Sequence, residues 1–71
     1  MKLSESLRRV RTQSKITQTQ AAQAAGVSPA MYQFYEYGRN EPTASVLVVL
    51  ADFYDVSLDY LVGRSDDPAR H

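Results

Sequence analysis

The chain has 71 residues, 44% of them hydrophobic, with no Cys and one His at position 71, and its eight Lys and Arg balance eight Asp and Glu. So short a chain buries only roughly 60% of the surface its unfolded form exposes, so it holds one domain that must rely on an apolar core without disulfides or a thiolate metal site. The longest apolar run, residues 46–51, is too short to span a membrane, and Met1–Val10 is charged where a secretory leader would be apolar, so a soluble cytoplasmic protein is expected.

Helical periodicity dominates from the start. Leu3, Leu7 and Val10 share one face of a helix expected over 3–13. Thr17 is a suitable N-cap for a second helix, which runs through QTQAAQAA to Gly26, a good left-handed terminator. Ser28 and Pro29 restart the chain as N-cap and first helical residue of a third helix, about 29–37, which stops at Gly38. GRNEP is then a connection closed by Pro42. Thr43 caps a fourth helix reaching about Tyr54, and Ser57 caps a short fifth that Gly63 ends. The sequence shows no strand alternation and no repeat. An all-α domain over 1–64 is expected, with 65–71 a flexible polar tail.

Charge is unevenly spread along this array. Residues 1–15 carry five cations against one carboxylate, a balance of +4, and residues 41–71 carry six carboxylates against two arginines, a balance of −4. A neutral chain can therefore turn a basic face to a polyanion, although ordinary surface charge reads the same way. No nucleophile–base pair, Gly-rich phosphate loop or carboxylate–His cluster is present, so neither catalysis, a cofactor nor a metal is expected. Asp52, Asp55 and Asp59 straddle a helix break and read as a solvated acidic edge.

Thr17 to Tyr37 is a helix, a glycine turn and a helix of the size of a helix-turn-helix unit, with the small Ala22 where two helices approach closely. Further residues extend the pattern. LRRVR, ITQTQAAQAAGVS, YEYGRNEP and LADFYDVSLDYLVG together resemble the phage-repressor-type (Xre/Cro-like) helix-turn-helix family over about residues 3–64. Ile16, Thr17, Gln18, Ala22, Gly26, Val27, Ser28, Glu36, Gly38 and Pro42 fall in register with that family's pattern, as do Leu47, Leu50, Ala51, Val56, Ser57, Asp59 and Leu61. The resemblance implies a compact five-helix, lambda-repressor-like domain whose third helix enters the major groove of double-stranded DNA, acting as a transcriptional repressor and a homodimer.

It also implies roles for single residues. Arg11 and Glu36 stand where the family forms an interhelical ion pair. Gln18 stands where a glutamine meets a DNA phosphate, beside the positive end of the second helix. Ala21 and Ala25 replace the family's leucines while Tyr32 and Tyr35 add bulk, which suggests a volume exchange within one core with each tyrosine hydroxyl reaching an edge. Pro29, Ala30, Gln33 and Phe34 are then the base-reading residues. Thr17, Gln18, Ser28, Tyr37, Arg39, Asn40 and Thr43 are the phosphate-binding ones.

That reading face is unusually apolar. Only Gln33 can make a bidentate base contact, which suits adenine, while Ala30 and Phe34 suit thymine methyl groups. The same apolar surface also fits a protein partner, so an antitoxin-like or anti-repressor-binding module on this scaffold is the alternative reading. The fourth helix adds a second apolar feature. Val46 and Val49 make SVLVVL apolar nearly all round, which fits either a dimer contact or packing beneath the fifth helix and tail.

Overall fold

The computed structural model describes residues 2–69. It contains five helices and, among the described residues, no strand: α1 (Leu3–Gln13), α2 (Gln18–Ala25), α3 (Pro29–Tyr37), α4 (Ala44–Tyr54) and α5 (Leu58–Leu61). None of these helices is long and apolar enough to cross a membrane.

Side-chain hydroxyls start four of the five helices. Thr17, Ser28, Thr43 and Ser57 each accept from the backbone N–H three residues on, at 3.0–3.2 Å. At α2 the cap is reciprocal, because the Thr17 N–H donates to Gln20 Oε1 at 2.9 Å. Such a capping box satisfies two backbone donors that a helix end otherwise leaves unpaired.

The helix ends share one device. After each helix a single residue takes a left-handed backbone: Lys15, Gly26, Gly38, Asp55 and Gly63, all with φ between 57° and 85°. The next N–H then reaches back five residues, from Ile16 to Arg11, Val27 to Ala22, Arg39 to Phe34, Val56 to Ala51 and Arg64 to Asp59. This closure satisfies a carbonyl that the helix end would leave exposed. Lys15 and Asp55 are the two non-glycines among them, both exposed. The left-handed conformation costs an L-residue about 1–2 kcal/mol, more for Lys15 than for Asp55, whose short polar side chain tolerates it better. Lys15→Gly should therefore stabilise the protein by about 0.5 kcal/mol, the relief being partly offset by a lost cation near the α1 C-terminus. Urea unfolding measures it.

Every helix feeds one core. Leu7, Val10, Ala21, Ala22, Tyr32, Tyr35, Leu50, Ala51 and Leu61 are buried together, with Leu3, Ile16, Ala25, Val46 and Leu47 packed against them. The two tyrosines meet edge to face with centroids 6.2 Å apart, in the same cluster as the small Ala21 and Ala22. Tyr32, the largest fully buried side chain, departs from expectation in one respect. Its hydroxyl does not reach an edge: like that of Tyr54 it is buried with no partner in good hydrogen-bond geometry, although the two phenols and the Glu36 carboxylate lie close enough to perturb one another. Burial pushes both phenols up. Tyr35, by contrast, lines a surface groove beside Lys2.

Beyond α5 the chain turns back on itself. The Ser57 N–H donates to the Pro68 carbonyl at 3.0 Å, and Ser65 and Asp67 bond to one another. Met1, Arg70 and His71, the last two within the segment expected to be flexible, lie outside the described residues.

Candidate nucleic-acid interface

Glu36 organises the region around α3. Its carboxylate accepts from Arg11 twice, Nε to Oε2 at 2.6 Å and Nη2 to Oε1 at 3.0 Å, and from Gln18 Nε2 at 3.1 Å. Arg11 also donates to the Ile16 carbonyl at 2.9 Å, so one guanidinium ties α1, the α1–α2 turn and α3 together. The Glu36 side chain is wholly buried and that of Arg11 is 14% exposed. Burial pushes the Glu36 carboxyl up, but the hydrogen bonds from Arg11 and Gln18 outweigh it and hold the group below the usual carboxylate range. The same contact raises the Arg11 pKa.

Arg8 completes the cluster. Its Nη2 donates to the Glu36 carbonyl at 3.1 Å, and its Nε lies 3.9 Å from Oε1 while the side chain stays 53% exposed. A cation at the last turn of a helix meets the negative end of its dipole. From the sequence Arg8 counted only among the five cations of residues 1–15, with no role of its own. The available signal was its spacing of three from Arg11, which places both on adjacent parts of one α1 face.

The Gln18–Glu36 bond sets the first turn of α2 against the last turn of α3. Expected at a phosphate, the Gln18 side chain thus spends one amide hydrogen inward and keeps the second. The backbone N–H groups of Gln18 and Thr19 occupy the first two positions of α2, where no helical carbonyl precedes them. The hydroxyls of Thr17, Ser28 and Thr43 accept cap bonds, and each retains its own O–H to donate.

Successive α3 residues are about 100° apart around the axis, and this orders the surface. From Glu36 the order runs Gln33, Tyr37, Ala30, Phe34, Met31 and back to the buried Tyr35. Pro29, Ala30 and Tyr37 are exposed, and Gln33 and Phe34 are half-buried. On the Gln33 side lies the α2 N-terminus with Gln18 and Arg8. On the Phe34 side lies the α3–α4 connection, where Arg39 sits over the Phe34 ring and Asn40 Nδ2 donates to Met31 Sδ at 3.4 Å. Donor groups therefore flank the exposed strip on both sides. Met31 joins this surface although sequence reasoning passed over it, because its apolar side chain reads as core.

The two α4 valines part company. Val46 packs against the core, whereas Val49 is 43% exposed. The exposed apolar residues beside it are Val48, Phe53 and, on α5, Leu58. These lay outside the sequence reading, although an all-round apolar helix is itself a signal that one side stays uncovered.

A helix-turn-helix family model matches residues 7–61. An uncharacterised HTH-type transcriptional regulator of Bacillus subtilis, YobD, is 42% identical over 62 residues, covering 87% of this chain and 55% of that protein. The cryptic phage CTXphi transcriptional repressor RstR of Vibrio cholerae is 41% identical over 64 residues, covering 90% and 57%. The chain thus spans just over half the length of these relatives. The P22 c2 repressor, solved with a synthetic operator, superimposes with a TM-score of 0.80 at 28% identity, covering 92% of this chain and 98% of that one.

Proposed function

The chain belongs to the helix-turn-helix family, and from that premise we propose that it is a transcriptional regulator, a repressor, that binds double-stranded operator DNA with α3 in the major groove. One observation carries the reading: the exposed α3 strip is flanked on both sides by donors. A helix lying in the major groove meets base edges along its centre and a phosphate backbone along each side. The P22 c2 repressor, whose fold matches over nearly its whole length, was solved on operator DNA, and RstR is a repressor. Repression needs no more than occupancy of the operator.

Base reading falls to Gln33, through adenine N6 and N7, and to Ala30 and Phe34, through thymine methyl groups, with Pro29 at the helix entry. Thr17, Gln18, Ser28, Tyr37, Arg39, Asn40 and Thr43 hold phosphates. Methyl recognition has a clean test, because replacing thymine by uracil removes the methyl group and leaves pairing and phosphates unchanged. A single uracil at the contacted position should weaken binding by about 1 kcal/mol, the scale of one buried methyl group. Gln33→Ala should instead relax the preference for the neighbouring adenine. Equal binding of thymine and uracil duplexes would remove methyl readout.

Two copies bind one operator. The exposed strip of Val48, Val49, Phe53 and Leu58 supports a dimer contact on α4 and α5, since exposed apolar patches mark interaction sites. Val49→Lys with Phe53→Glu should then give a folded monomer with weakened operator binding. Sedimentation that finds one copy per operator for the unaltered protein would exclude the dimer. An antitoxin-like protein-interaction module remains the rival use of this scaffold, and it predicts no duplex binding at any salt concentration.

A further inference from the structure

Arg39 and Phe34 form one unit on the α3 surface. The Arg39 guanidinium carbon lies over the Phe34 ring, 5.9 Å from its centroid, within the range where the ring quadrupole attracts a cation. The backbone reinforces the placement, because the N–H groups of Arg39 and Asn40 both donate to the Phe34 carbonyl, at 2.9 and 3.4 Å. Asn40 then holds Met31, the next side chain on that flank. No carboxylate pairs with Arg39 among the described residues.

A guanidinium held against an apolar ring spends none of its N–H donors on that contact. The contact favours this placement of Arg39 and leaves it able to donate. Resting on the DNA-binding reading above, we propose that Phe34 is a positioning residue for Arg39, holding it at a backbone phosphate while the ring itself meets the bases. Base reading and phosphate anchoring are then coupled through one uncharged side chain. A substitution at Phe34 must change the salt dependence of binding, although it alters no charge.

The test measures log K against log salt for the full chain on a mixed-sequence DNA duplex, with Phe34→Leu, Phe34→Tyr, Arg39→Ala and the double variant Phe34→Leu/Arg39→Ala. Phe34 lies outside the core cluster, so Phe34→Leu is expected to fold, and Phe34→Tyr preserves the ring. Arg39→Ala should flatten the slope by about 0.9 per bound copy, roughly 8-fold less affinity lost over a tenfold rise in salt. Phe34→Leu should reproduce about half of that or more, the double variant should go no further than Arg39→Ala, and Phe34→Tyr should keep the original slope. Flattening by Arg39→Ala but not by Phe34→Leu, or full additivity in the double variant, overturns the coupling alone. Absence of salt-dependent binding by the unaltered chain overturns it together with the DNA-binding reading.

Discussion

Glu36→Ala is expected to destabilise the protein by about 3–5 kcal/mol, because it leaves the Arg11 guanidinium buried without its counter-charge. Arg11→Ala should cost as much for the reciprocal reason. For a chain of this length total stability is roughly 4–11 kcal/mol, so either variant removes a large part of it. The double variant should cost clearly less than the two single costs together, since it buries no orphaned charge. Arg11→Met with Glu36→Leu, which refills the volume with apolar side chains, should be the most stable of the set and keeps the comparison measurable if a single variant unfolds. Strictly additive costs in urea unfolding would mean that the two groups do not interact.

The same pair gives an acid limb. The folded Glu36 carboxyl titrates below its unfolded value, so its contribution is complete above about pH 4.3 and is lost as pH falls through the lower, folded value. Glu36→Gln should remove that part of the acid dependence. A Glu36→Gln variant with an unchanged pH profile would place the titration elsewhere.

How much of this could be read from residues alone varies with the kind of signal. Helix starts were legible at Thr17, Ser28, Thr43 and Ser57, because a short hydroxyl before an apolar period has few other uses. Ends were legible where glycine marks the left-handed residue, at 26, 38 and 63. At Lys15 and Asp55 the same backbone is adopted by residues whose side chains do not announce it, so only the fading of periodicity marked those ends. The meeting of Arg11 with Glu36 joins residues 25 apart and followed from the family resemblance, not from spacing. Val46 and Val49 could not be separated, because in a helix apolar all round the buried side is chosen by the neighbouring helices. The Phe34–Arg39 stack was hidden for another reason. It depends on how Gly38 turns the chain back, and five residues of sequence do not specify that path.

Binding to DNA should fall steeply with salt. Arg8 beside the α2 N-terminus and Arg39 beside Phe34 give about two cations per copy at the two flanks of α3. For a dimer that neutralises about four phosphates, log K should fall with log salt at a slope of roughly −3.6, or roughly 4,000-fold in affinity over a tenfold rise in salt. The neutral net charge of the chain does not weaken this expectation, because counterion release depends on cations at phosphates. Glu41 and the acidic residues of α4 and α5 should have little effect on that slope. Arg39→Ala should lower affinity for all duplexes alike, whereas Gln33→Ala should change which duplex is preferred.

Selection of bound fragments from a pool of random duplex DNA tests most directly whether α3 reads sequence. The predicted result is enrichment of two symmetric half-sites about one helical turn apart, each with an adenine beside a thymine-containing step, and loss of that preference in Gln33→Ala combined with Phe34→Ala. A pool that emerges with no enriched sequence, from protein shown to be folded, would contradict it and leave the α3 surface to a protein partner.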